Sequence, residues 1–297
     1  MKPDTLVLAT PRSRLTDLFV LTKVRVNTLV VATTAGGYYM GARSGIDVMS
    51  LVVTCFGTAL VASGAAAINQ VDERDTDRLM ARTRQRPLAD GRMGVGEGRT
   101  IAGSLAIAGL VGLWLGANPA AMLVALATLL TYAFVYTPLK RRTSLSTVVG
   151  AIPGALPPLI GWAASRGTVA ELAPWTLFLI MFLWQLPHFL AIAWLYRDDY
   201  ARAGLPMLSV VDRAGILTGR QAMLWAATLI PFSVLPYLLG LTGPAYAIEA
   251  IVLGTLLLAL AVSFAIQRTD SSARTLFYGS ITYLPLLWLL MMIGKKG

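Results

Sequence analysis

The sequence predicts an all-α polytopic membrane protein: nine transmembrane helices in a bundle with a central cavity, capped at one end by charged loops. Three observations carry that class. Hydrophobic residues make up 56% of the 297 and charged residues only 13%, whereas soluble domains carry about 25% charged residues. Apolar windows of roughly 20 residues, the length a helix needs to cross a bilayer, recur nine times. Basic residues collect in alternate connections between those windows, the pattern that orients helices in a membrane. The mean hydropathy of +0.66 agrees.

The windows lie near 24–42, 48–70, 99–117, 119–137, 146–165, 172–195, 219–240, 244–267 and 273–293. Charges and turn residues bound each one. The first lies between Arg25 and Arg43, and the second runs uncharged from Val48 to the acids that begin at Asp72. The third and fourth are flanked by Arg99 and Lys140 and parted by Ala117-Asn118-Pro119. The fifth ends at Arg166, and the sixth lies between Glu171 and Arg197. Beyond Arg220 the seventh reaches the turn Leu241-Thr242-Gly243-Pro244, the eighth ends at Arg268, and the ninth lies between Arg274 and Lys295.

With nine spans, the N-terminus shares a side with the 2–3, 4–5, 6–7 and 8–9 connections. That side holds 21 of the 25 Lys and Arg; Arg43, Arg166, Lys295 and Lys296 are the rest. The bias places the N-terminus, a segment over 1–18, and the charged loops in the cytoplasm. It also accounts for the net charge of +10 without nucleic acid. Two connections on that side are long, 71–98 and 196–218, and both are rich in carboxylates. Their four-span separation hints at a duplicated four-helix unit, although no residue-level repeat is visible. Met1-Lys2-Pro3-Asp4 has no hydrophobic core of a cleaved signal, so the N-terminus is expected to be retained. Cys55, the single cysteine, lies in an apolar run and reads as a small buried hydrophobe.

Charge is densest from Asn69 to Leu88, where Asp72, Glu73, Asp75 and Asp77 stand with five arginines directly after the second span. Such density at a lipid boundary is costly unless something bound there needs it. If the helix continues past residue 70, Asn69, Glu73 and Asp77 share one face at i, i+4 and i+8, with Asp72 at its margin. Carboxylates so placed can hold Mg²⁺ together with substrate phosphates, and arginines grip phosphate oxygens. Asp75 joins the set only if the helix breaks. The alternative is a solvated loop whose acids and arginines simply pair.

The second acidic segment, Arg197-Asp198-Asp199-Tyr200 followed by Ala203-Gly204-Leu205-Pro206, can supply the other half of a metal–diphosphate clamp. Between the two, Lys140, Arg141 and Arg142 serve either orientation or diphosphate binding. His188, the one histidine, sits after Pro187 near the middle of the sixth span. It reads as a hydrogen-bonded packing residue, an iron ligand or a contact for an acceptor substrate. Gly91, Gly94, Gly96 and Gly98 look like flexible loop, and no Walker loop, zinc spacing or GxSxG elbow is present.

With both acidic segments placed, the chain resembles the UbiA superfamily of intramembrane prenyltransferases, and within it the branch that farnesylates haem. Asn69-Gln70-x-x-Glu73-x-x-x-Asp77 corresponds to the first superfamily motif. The haem branch is matched by Glu73-Arg74-Asp75-Thr76-Asp77, Met80, Arg82-Thr83 and Arg86-Pro87, and by Asp199-Tyr200 with Ala203-Gly204-Leu205-Pro206-Met207-Leu208. Pro187-His188-Phe189, Tyr136-Thr137, Lys140-Arg141, Thr143 and the run Gly154 to Trp162 also match, so the resemblance covers about 15–290. Gln70 stands where many members have aspartate, and Ser146 where asparagine is common.

The resemblance implies one membrane-embedded prenyltransferase domain over 1–297 in the bacterial cytoplasmic (inner) membrane. It implies transfer of a farnesyl group from farnesyl diphosphate to a vinyl group of haem B, with addition of water, giving haem O and diphosphate. Asn69, Glu73, Asp75, Asp77 and Asp199 are the expected catalytic residues, with Glu73, Asp77 and Asp199 holding Mg²⁺. Arg82, Arg86, Lys140 and Arg141 are the expected diphosphate contacts, and His188 the haem-binding candidate. Membrane lipid surrounds the chain, and haem A synthase or terminal oxidase assembly proteins are candidate partners. Three rival readings stay open: prenylation of an aromatic quinone precursor, cation-coupled transport, and haem-binding assembly without catalysis.

Overall fold

Apolar windows this long have one good solution in lipid, a helix, because it pairs every backbone group within the segment. The computed structural model describes residues 13–43 and 45–296; expectations for residues 1–12 lie outside the described residues. The chain forms α1 (Arg14–Leu21), α2 (Val24–Gly41), α3 (Val48–Leu79), α4 (Val95–Gly116) and α5 (Pro119–Leu130). A π-helical turn, Thr131–Tyr136, leads into α6 (Thr137–Leu139), α7 (Ser146–Ala155), α8 (Pro157–Arg166) and α9 (Leu172–Leu195). Two short helices, α10 (Arg197–Arg202) and α11 (Leu208–Val211), precede α12 (Ile216–Leu238), α13 (Pro244–Gln267) and α14 (Asp270–Ile293). Among the described residues eight runs are long and apolar enough to cross a membrane, and the count is nine if α1 and α2, bent by 47°, form one span.

Local chemistry sets the boundaries. Asp47 caps α3 by accepting from Ser50 N at 3.1 Å, and Asn118 caps α5 through Ala121 N at 2.9 Å ahead of Pro119. Thr269 and Ser272 form a capping box at α14. Pro138 has no N–H for the usual i−4 bond, and the wide π-turn lies just before it. Two boundaries differ from expectation. The α3 helix runs unbroken to Leu79, so the first part of the 71–98 connection is helix. The 196–218 connection folds into α10 and α11.

Small residues let the helices meet closely, as packing within a membrane favours. A Cβ on Gly37 would lie 2.1 Å from the Pro158 carbonyl, and one on Gly161 would lie 1.8 Å from the Thr34 carbonyl. Gly57, Gly64 and Gly109 play the same part between α3 and α4. Two apolar cores result. One is built mainly from α9, α12, α13 and α14 around Trp184, Phe264 and Leu287. The other joins α2, α3, α4, α5 and α8 around Tyr38, Val61 and Leu113. Large side chains such as Phe56, Trp114, Phe134 and Ile248 stay exposed on the outside, a surface suited to lipid.

The two ends differ. At one, Lys295 Nζ donates to the Tyr39 and Ala42 carbonyls at 2.6 and 2.5 Å, and Lys296 N donates to Leu241 O at 2.9 Å. At the other, α1, the α3–α4 loop, the segment after the π-turn and α10 gather, and there the charged side chains meet.

Candidate active site

Helical periodicity puts Asn69, Glu73 and Asp77 one above another, and the unbroken α3 realises it. All three are buried, at 2%, 4% and 1% exposure. A buried carboxylate requires a cation or several hydrogen-bond donors, and each has one. Lys140 Nζ donates to both Glu73 oxygens at 3.0 and 3.2 Å. Arg86 Nη1 donates to both Asp77 oxygens at 2.9 and 2.8 Å. Lys23 Nζ donates to Asn69 Oδ1 at 2.9 Å and reaches the Tyr132 hydroxyl at 3.3 Å. Asn69 Nδ2 in turn donates to Thr137 Oγ1 at 3.3 Å. Three cations from three segments thus ring one helical face. Burial alone would lower the Lys140 pKa, but the neighbouring Tyr136 and Glu73 oxygens hold it above the ordinary lysine value.

The second acidic segment joins by a different route. Asp199 Oδ1 and Oδ2 accept from the backbone N–H groups of Ala81 and Arg82 at 3.3 and 3.4 Å, and Arg202 donates to Oδ1. Beneath them Met80 packs with Ala193, Tyr200, Ala203, Leu205 and Met207 in a small apolar cluster. The loop after α3 is therefore fastened to α10 by backbone donors and by one methionine.

Other expected residues fall outside this ring. Asp75 is left on the solvent side of α3 because the helix does not break; among the described residues it pairs with Arg74 at 3.3 Å and Arg78 at 3.8 Å. The Arg82 guanidinium lies 5.0 Å over the Tyr196 ring, and Arg141 donates to the Asp72 carbonyl. Both are exposed at the edge of the site. His188 stacks between Trp184 and Phe277, with ring centroids 5.0 and 5.1 Å away. Its Nδ1 is 2.8 Å from Ser280 Oγ, whose own proton goes to the Phe277 carbonyl at 2.6 Å. Ser280 therefore accepts from Nδ1–H, and the neutral ring keeps its lone pair on Nε2.

Glu73 and Asp77 share the α3 face, and Asp199 reaches this end of the bundle from α10. Among the described residues no three His, Cys, Asp or Glu side chains stand close enough to hold one ion. In this arrangement the Asp199 oxygens accept from Ala81, Arg82 and Arg202, as those of Glu73 and Asp77 accept from Lys140 and Arg86. Glu73 and Asp77 alone still suit Mg²⁺, which takes one or two carboxylates and completes its shell with phosphate and water. The donors fit a site shared with a phosphorylated ligand and make no all-protein cage.

Sequence reasoning missed Lys23, Tyr132 and the pair Asp17–Arg92, and it gave Thr137 no role beyond a family match. Asp17 is buried in α1 and accepts from Arg92 of the α3–α4 loop at 2.9 to 3.3 Å. Arg92 also donates to the Gln85 carbonyl at 2.9 Å, next to Arg86. Lys23 looked like an orientation charge, and nothing local marked it otherwise.

A helical bundle in lipid with acids and cations gathered at one end of its spans defines a class, and comparison with known proteins gives it a family. The sequence model described as the UbiA prenyltransferase family matches residues 29–290, and the chain belongs to that family. A protoheme IX farnesyltransferase of Solibacter usitatus is 45% identical over 290 residues, covering 95% of this chain and 99% of the relative. The protein of the same name from Koribacter versatilis is 42% identical, covering 99% of each. Among solved structures, a digeranylgeranylglyceryl phosphate synthase aligns with a TM-score of 0.78 at 18% identity, over 94% of this chain and 98% of its own. A UbiA homolog from Archaeoglobus fulgidus bound to GPP and Mg²⁺ aligns at 0.67 and 16% identity, over 93% and 99%. These structural likenesses establish the shared fold.

Proposed function

We propose that this chain transfers the farnesyl group of farnesyl diphosphate to a vinyl group of haem B, with addition of water, releasing haem O and diphosphate. The observation that carries the chemistry is the buried face of Asn69, Glu73 and Asp77 ringed by Lys23, Arg86 and Lys140. The acceptor rests on the relatives, which are named protoheme IX farnesyltransferase. The Archaeoglobus homolog, which carries GPP and Mg²⁺, supports a Mg²⁺-assisted prenyl diphosphate site. The excess of basic residues at the site's end supports a cytoplasmic orientation in a bacterial inner membrane.

Glu73 and Asp77 would hold Mg²⁺ together with the diphosphate, and Asp199 fixes the loop that carries Arg82 and Arg86. The ion supplies charge neutralisation for the departing diphosphate. Arg86, Lys140 and Lys23 donate to its oxygens, and exposed Arg82 and Arg141 add attraction from the edge. The C–O bond breaks with its electron pair on diphosphate, and the vinyl π-electrons attack the allylic carbon. Water then adds to the cationic carbon left on the vinyl and loses a proton. His188 offers Nε2 to the haem iron, with Ser280 setting the tautomer.

The test incubates purified protein with Mg²⁺, farnesyl diphosphate and haem B and analyses pigments by mass spectrometry. Haem O formation that Asp77→Ala or Glu73→Ala abolishes is the expected result. Unchanged turnover in both variants would sink the clamp. Product formed on an aromatic acid, and none on haem, would move the reading to quinone precursors.

A further inference from the structure

Gln70 occupies the one position of the first acidic motif where this chain has no carboxylate, and its surroundings explain the amide. The side chain is fully buried. Its Nε2 donates to the Val20 and Leu21 carbonyls, both at 2.8 Å, while Oε1 has no hydrogen-bond partner. The amide therefore acts through its two N–H groups alone. Both acceptors lie at the C-terminal end of α1, where helical carbonyls lose their partners. The next carbonyl, Thr22 O, is taken by Asn27 Nδ2 at 2.8 Å. An aspartate at 70 would set acceptor against acceptor, removing the donor to the Leu21 carbonyl and leaving Val20 O with Lys23 N alone at 3.3 Å.

Directly after this tether comes Lys23, which adopts a left-handed backbone (φ 49°, ψ 45°) as it opens α2. A lysine gains nothing from that conformation by itself, so it must be imposed by the bend. The bend turns the side chain inward, where Nζ meets Asn69 and Tyr132. On its outer side Lys23 lines a groove of about 640 Å³ together with Phe19, Val20, Val24 and Arg25.

We propose that Gln70 is a positioning residue: by holding the Val20 and Leu21 carbonyls it fixes the α1–α2 bend that delivers Lys23 to the diphosphate. The amide thus replaces a negative charge of the motif with a tether for a positive one. This rests on the prenyl diphosphate reading above, and the experiment separates the two.

Binding of farnesyl thiodiphosphate with Mg²⁺ is measured calorimetrically for wild type, Gln70→Glu, Lys23→Met and the double variant. Each single change is expected to weaken binding about tenfold, the scale of one charge-assisted hydrogen bond, and the double variant to match Lys23→Met within about twofold. Additive losses, about a hundredfold in the double variant, would overturn the proposal, as would undiminished or tighter binding by Gln70→Glu. Should Gln70→Glu fail to fold, Asn27→Ala releases the Thr22 carbonyl at the same bend, and the same dependence on Lys23 is expected; independence overturns the idea. Failure of wild type to bind the probe would instead refute the diphosphate site itself.

Discussion

Replacing Asp17 with asparagine tests whether the first helix holds the α3–α4 loop in place. The Asp17 side chain is 4% exposed and Arg92 27%. Three N–H to oxygen contacts join them, one at 2.9 Å and two at 3.2 and 3.3 Å. Stranding a fully buried charge costs about 3–5 kcal/mol, which sets the ceiling. Arg92 is not stranded, because it keeps the Gln85 carbonyl, Asp90 and solvent. One strong charge-assisted contact and two weaker ones then give about 2 kcal/mol. The assay is a double-mutant cycle of Asp17→Asn with Arg92→Gln, read by denaturant unfolding in detergent. A coupling near 2 kcal/mol is expected, with faster hydrogen exchange over 83–93 in each single variant. A coupling below about 0.5 kcal/mol, the additivity limit for independent sites, would refute the latch.

Two further outcomes follow from geometry. Asp75→Asn should leave haem farnesylation within twofold of wild type and shift stability by less than about 1 kcal/mol, because Asp75 is itself exposed and pairs with half-buried Arg74 and exposed Arg78 at the surface; a large loss in the pigment assay would return Asp75 to the reacting groups. Gly161→Ala should destabilise the fold by about 1–3 kcal/mol or more, since its Cβ meets the Thr34 backbone carbonyl, which cannot rotate away; an unchanged unfolding midpoint would contradict the close approach of α2 and α8.

Much of the fold was legible because membrane helices announce themselves by length and polarity. The face of Asn69, Glu73 and Asp77 was legible for a related reason, since i to i+4 spacing needs only a continuous helix. The rest depends on contacts between distant segments. Lys23 meets Asn69 from 46 positions away, and Asp199 meets Ala81 across 118. Neither pairing leaves a local signal. Asp75 shows the converse, since it belongs to the motif by letter and is turned outward by the helix that makes the motif work. For Asp199 the family resemblance implied a metal ligand, and the backbone donors of Ala81 and Arg82 that its oxygens also meet leave no trace in the sequence.

Met80 has a consequence beyond packing. It supplies the sulfur-bearing plug that the α3–α4 loop inserts against Tyr200, Leu205 and Met207. Oxidation to the sulfoxide would place a polar, chiral oxygen inside that small apolar contact and part the two loops. Met80 is 2% exposed, so the closed joint shields its sulfur, and sulfoxide formation at Met80 should report opening of the two loops. The rate at which Met80 oxidises would thereby measure how firmly the joint between the loops is held.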